Sequence, residues 1–119
     1  MKIQDRLFPS GKRYFIRPGV TDMRKSIGTL ASLVEKEIGL SPFSEDYFLF
    51  SNRQKNIVKI LYWHMNGFAL WTKKLEKDRF PWPIIPSDLE EMDEEKILWL
   101  LSGIDARREH KRLIYTRTG

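Results

Sequence analysis

The dipeptide Asn66-Gly67, set between two apolar runs, constrains this chain more than any other feature. Both residues tolerate positive φ, as the centre of a tight type I′ hairpin turn requires. The stretch IVKILYWHMNGFALWTKKLEKDRFPWP, residues 57–83, therefore reads as two strands, 57–65 and 68–76, then a basic stretch and an aromatic-proline end. Side chains alternate along a strand. Val58, Ile60, Tyr62 and His64 share one face of the first strand, and Ile57, Lys59, Leu61, Trp63 and Met65 share the other.

The flanking sequence extends this hairpin. Residues 46–51 read as a strand with Tyr47, Leu49 and Ser51 on one face and Phe48 and Phe50 on the other, which makes a three-stranded antiparallel meander over 46–76. A short strand at 13–17 is expected to join it. Thr21 or Asp22 is expected to cap a helix over about 22–38, since a short oxygen side chain satisfies a free N–H of the first turn. Met23, Ile27, Leu30, Leu33, Val34 and Ile38 form its apolar stripe, and Gly39 stands where a terminating glycine belongs. Pro81, Pro83 and Pro86 mark an extended link. Asp93 then caps a second helix, about 94–102, which Gly103 ends. The fold class expected is α+β: an antiparallel sheet of three to five strands with two main helices. Residues 1–105 form a single domain, and residues 106–119 a basic C-terminal tail.

Charge is segregated. Residues 52–82 hold seven basic and two acidic groups, residues 83–105 one basic and seven acidic, and residues 106–119 five basic and one acidic. A basic hairpin of this kind attracts phosphate backbones by releasing counterions. The acidic run Asp88 to Glu95 can dock a basic partner, although such runs are more often a solvated loop and helix start. The tail's Arg107, Arg108, Lys111, Arg112 and Arg117 could sweep a DNA backbone, or form a plain floppy terminus. With no cysteine, disulfides and thiolate metal sites are excluded. No apolar run approaches the ~20 residues of a membrane span. The N-terminal residues lack the apolar core of a signal peptide. A cytoplasmic protein is the expectation.

The candidate nucleic-acid-binding residues are Arg24, Lys25, Arg53, Lys55, Lys59, Lys73, Lys74, Lys77 and Arg79. Lysine and arginine bind phosphate without reading sequence. The plainer reading is a solvated strand end. Trp63, Trp71 and Trp82 are possible stacking platforms for unpaired bases, though large aromatics in so small a domain more often build the core. Thr21 to Lys25 sets cations beside a helix start, but Asp22 would repel a phosphate there. A cap paired with Arg24 or with a sheet lysine such as Lys59 is the simpler role. Metal-dependent phosphoryl chemistry needs converging carboxylates. Asp22, Glu76 and Asp78 are ordinary acids among lysines, and His64 and His110 lack partners at ligand spacing. No catalytic residue, metal or cofactor is assigned.

Several separated motifs also carry a resemblance. They are Thr21-Asp22-Met23-Arg24-Lys25, Phe48-Leu49-Phe50, Lys59-Ile60-Leu61-Tyr62-Trp63, Gly67-Phe68, and Lys73-Lys74-Leu75-Glu76-Lys77 with Phe80, Trp82 and Pro83. Leu100-Leu101-Ser102-Gly103-Ile104-Asp105 closes the series. In this order the chain resembles, over about residues 10–105, the small accessory protein of IS-sixty-six-type bacterial insertion sequences. It departs from that pattern at His64, where an aspartate is usual, at Lys74 for arginine and at Asp78 for glycine. The resemblance implies a non-catalytic accessory to DNA transposition, with DNA and a companion transposase as partners. It also implies that the catalytic acids belong to that larger transposase. The alternative is a module that docks on the transposase without touching DNA.

Overall fold

The computed structural model describes residues 11–84 and 90–103. It is an α+β fold in which one five-stranded sheet lies between two helical layers. The strands are β1 (Tyr14–Ile16), β2 (Tyr47–Ser51), β3 (Ile57–His64), β4 (Gly67–Lys74) and β5 (Glu90–Met92), in the sheet order β4-β3-β2-β1-β5. The helices are α1 (Ile27–Leu33), which runs on as a π-helical turn over Val34–Ile38, and α2 (Glu94–Leu101).

The meander β2-β3-β4 is present and antiparallel, as expected. β1 joins β2 in parallel, Tyr14 opposite Tyr47, because the chain between them crosses over through α1 rather than through a hairpin. The sheet is thus mixed rather than purely antiparallel. β5 is an addition that the sequence did not announce. Three residues, Glu-Glu-Met, are too few to display alternation, yet they pair antiparallel with β1. Part of the acidic run is therefore strand rather than solvated loop.

Alternation along the strands divides the core in two. Tyr14, Ile16, Tyr47, Leu49, Val58 and Ile60 point to the side covered by Ile97, Leu100 and Leu101 of α2 and by Phe80 and Trp82. Phe15, Phe48, Phe50 and Leu61 point to the opposite side, where Leu30, Ala31, Leu33 and Val34 of the first helix cover them. Every residue of β1 and β2 is buried, as fits strands covered on both faces.

Two expected boundaries move. The first helix starts at Ile27, not 22, and its cap is Ser26, whose Oγ accepts from the Thr29 N–H. Thr21 is instead drawn inside, where its Oγ1 accepts from Arg17 at 2.8 Å. The turn of the long hairpin is Met65-Asn66, because His64 pairs with Gly67. Its left-handed residue is Met65, φ 57°, with Asn66 on the ordinary side. A positive φ at the first central position of a two-residue hairpin turn normally belongs to glycine or asparagine. Moving the turn by one residue shifts the register by two, so each side chain keeps its expected face. Gly39, φ 82°, ends the π-helical turn as expected. The tail 106–119, Pro86 and Asp88 lie outside the described residues.

Candidate nucleic-acid interface

The strand directions give the sheet two chemically different ends. At one end three segments meet: the loop 20–25, the turn 52–56 and the segment 75–80. The Thr21 N–H donates to the Ser51 carbonyl at 2.8 Å, Leu75 to Asn56 at 2.8 Å and Phe80 to Lys55 at 2.7 Å. The turn is closed by Asn52, whose Oδ1 accepts from the N–H groups of Asn56 and Ile57. Lys55 adopts a left-handed φ of 61° within it.

Arg24, Lys25, Arg53, Lys55, Lys74, Lys77 and Arg79 lie on or beside these three segments. Arg24 and Arg53 line one shallow, open pocket of about 480 Å³ together with Val20, Thr21, Asp22, Met23, Asn52 and Gln54. Arg24 is engaged: its Nε and Nη2 donate to the Asp22 carboxylate at 3.0 and 2.8 Å. That guanidinium, helped by the Arg24 backbone N–H, holds the Asp22 carboxyl down at about 2. Asp22 thus takes the paired role foreseen for it, but with Arg24 and not with a sheet lysine. The other six cations have no side-chain hydrogen bond or ion pair among the described residues.

Two of the candidate lysines are placed differently. Lys59 lies on the α1 side, and its Nζ donates to the Met23 carbonyl at 2.7 Å. Lys73 lies on the α2 side, and its Nζ donates to the Leu101 carbonyl at 2.9 Å. That carbonyl is one of those a helix end leaves without an internal partner. Both lysines fasten a layer to the sheet and are only partly exposed.

The tryptophans also separate. Trp82 is buried, 5% exposed, and its Nε1 donates to the Arg17 carbonyl at 2.9 Å. Trp71 is half-buried against the α2-side core. Trp63 is half-buried at the opposite end of the sheet, in a cluster that the sequence analysis missed. Its ring meets Phe68 edge-on at 5.0 Å, and both meet Phe43 at 5.2 Å. Phe43 is 55% exposed and Met65, at the hairpin tip, 80%. Only the sequence neighbourhood of Phe43, a Pro-Phe in a loop, could have hinted at it. On the α2 side of the same end, Tyr47 stacks on Tyr62 at 4.7 Å and meets Tyr14 at 5.2 Å. Burial pushes the Tyr47 phenol up to about 12. Near this end Lys12 pairs with Glu45 and Arg13 with Glu91.

Glu76 and Asp78 are exposed on the segment 75–80. Among the described residues, no three His, Cys, Asp or Glu side chains come together in a metal-holding group. No described helix is long and apolar enough to cross a membrane.

Comparison with known proteins identifies a family. The family model described as IS66 Orf2 like protein matches residues 12–111. An uncharacterized protein of Sinorhizobium fredii, y4hO, is 32% identical over 115 residues, covering 95% of this chain and all of the relative. A second from the same organism, y4jC, is 26% identical over 102 residues, 86% of this chain and 87% of the relative. No solved structure matches the chain. The chain belongs to the IS66 Orf2-like family, and that membership supports an accessory role associated with transposition.

Proposed function

We propose that the protein is a non-catalytic, cytoplasmic accessory to transposition whose basic sheet end contacts DNA, or a transposase–DNA assembly near the ends of the mobile element. One observation carries this reading. Three segments distant in sequence converge at one end of the sheet with Arg24, Lys25, Arg53, Lys55, Lys74, Lys77 and Arg79, against three acids, Asp22, Glu76 and Asp78. Such an excess of cations reads phosphate rather than bases, and it makes affinity depend steeply on salt. Lys59 and Lys73 leave the contact set, because each has a structural bond to a carbonyl.

The test is a salt titration of binding to a labelled duplex from the element's terminal repeat, beside a scrambled duplex. Replacing Arg53, Lys55, Lys74 and Lys77 with alanine should weaken binding to both duplexes alike. The slope of log affinity against log salt should fall by about 0.9 for each phosphate that is no longer neutralised. Undiminished binding by this variant would reject the basic end as the DNA-binding surface.

A second reading is favoured by the partly exposed Phe43-Trp63-Phe68 cluster, since aromatic residues are enriched at protein interfaces. In it the aromatic end docks on the transposase and the cations serve solubility. Co-purification with the transposase that survives high salt and nuclease treatment, and is lost in Phe43→Ala, would support it.

A further inference from the structure

The two edges of the sheet are built differently. β5, at one edge, is three residues long, and its Glu91 is clamped by Arg13 at 3.0 Å. Short strands and charges of this kind blunt an edge. β4, at the other, is eight residues long and pairs with β3 in unbroken register from Gly67 opposite His64 to Lys74 opposite Ile57. It contains no proline and no bulge, and it is uncharged from Gly67 to Thr72.

The hydrogen-bond phase of β4 follows from the hairpin. In an antiparallel pair, alternate residues turn both backbone groups toward the partner strand. The pair flanking a two-residue turn is of that kind, so Gly67, Ala69, Trp71 and Lys73 face β3. Leu75 continues the series with its N–H on the Asn56 carbonyl. Phe68, Leu70 and Thr72 therefore turn their N–H and C=O groups to the free edge. No described residue meets those groups.

We propose that this edge pairs with β4 of a second copy, antiparallel about a two-fold axis at Leu70. In that register the outward groups of both copies meet: Leu70 opposite Leu70 and Phe68 opposite Thr72, with Ala69 opposite Trp71 between them. Large side chains then meet small ones on both faces. Lys73 and Lys74, clustered at one end of the strand, fall opposite the Gly67 and Asn66 end of the other copy, so like charges do not face each other. The product is a continuous ten-stranded sheet. The inference does not rest on DNA binding.

Thr72 is exposed, and its N–H points outward, so Thr72→Pro removes an edge donor without touching the β3 pairing. Sedimentation of the full chain should show a dimer that Thr72→Pro weakens about tenfold or more, as two symmetric hydrogen bonds are lost, with an unchanged circular dichroism spectrum. Because the chain has no cysteine, a spin label on Thr72→Cys reports alone. Four residues of strand separate the two copies of this position, placing their backbones about 14 Å apart. A dimer with widely separated labels, or one indifferent to Thr72→Pro, would overturn the proposal. So would a monomer at all concentrations. In that case slow amide exchange at Phe68, Leu70 and Thr72 would assign the edge to another segment of the same chain, and fast exchange would leave it bare.

Discussion

The two ends of the sheet are held by different forces. At the basic end the backbone does the holding: Gly19 to Pro83, Thr21 to Ser51, Leu75 to Asn56 and Phe80 to Lys55 are all bonded, with the Trp82 indole tied to Arg17. At the aromatic end Phe43, Trp63 and Phe68 meet through ring faces and edges. Directional bonds fix where a loop sits, so the cations of the basic end stand on a pre-set frame. Ring contacts are individually soft and allow rearrangement. A rigid charged end suits a regular backbone of phosphates, and an adaptable aromatic end suits a partner of irregular shape.

The largest test of this contrast uses the two most different rings. Trp82→Ala should cost about 3–5 kcal/mol in urea denaturation, because a buried indole leaves both a cavity and an orphaned carbonyl. Phe43→Ala should cost about 1 kcal/mol or less, since over half of that side chain is already in water. Equal losses would erase the distinction. Next come the lysines. Lys73→Ala should lose about 1–3 kcal/mol with its bond to the Leu101 carbonyl, whereas its neighbour Lys74→Ala should stay within about 0.5 kcal/mol.

A smaller effect, of opposite sign, is expected at the aromatic end. Met65→Gly relieves a left-handed side chain in the turn and should raise stability by about 0.5–1 kcal/mol, read as a higher denaturation midpoint. The smallest effect belongs to Asp22. Its folded value of about 2 lies below the ordinary 3.8, so the pairing with Arg24 stabilises fully above about pH 4 and fades as pH falls toward 2. Asp22→Asn should therefore lower the melting temperature slightly above about pH 4 and leave it unchanged near pH 2, which flattens the acid limb. The site is exposed, so a large neutral-pH loss would mean that Asp22 does more than pair with Arg24.

The meander was legible because period-two alternation and a turn dipeptide point to the same structure. Its turn was misplaced by one residue because Met65 pays a conformational cost that local preference would have refused. The start of the first helix was misread for a different reason. Thr21, Asp22 and Ser26 are all competent caps, and tertiary contacts choose among them: Arg17 claims Thr21, and Arg24 claims Asp22. The convergence of Arg24 with Arg53 could be guessed only as composition, not as geometry. Lys59 and Lys73 read as surface charges because their partners are carbonyls of distant loops and helix ends, which no local pattern reveals. Phe43 was overlooked because a lone aromatic in a loop has no periodicity to betray it.

The order of the strands also bears on how the molecule is made. β2, β3 and β4 are consecutive hairpin neighbours and can pair soon after each is synthesised. β1 finds β2 only after the α1 crossover, and its other side stays open until Glu90 to Met92 arrive. Such distant pairings form slowly, because the entropy of closing the loop is lost before the contacts reward it. Of the described strands, the first to leave the ribosome is thus the last to have both neighbours, and translation of residues 52–92 proceeds beside a sheet with one flank still unfinished.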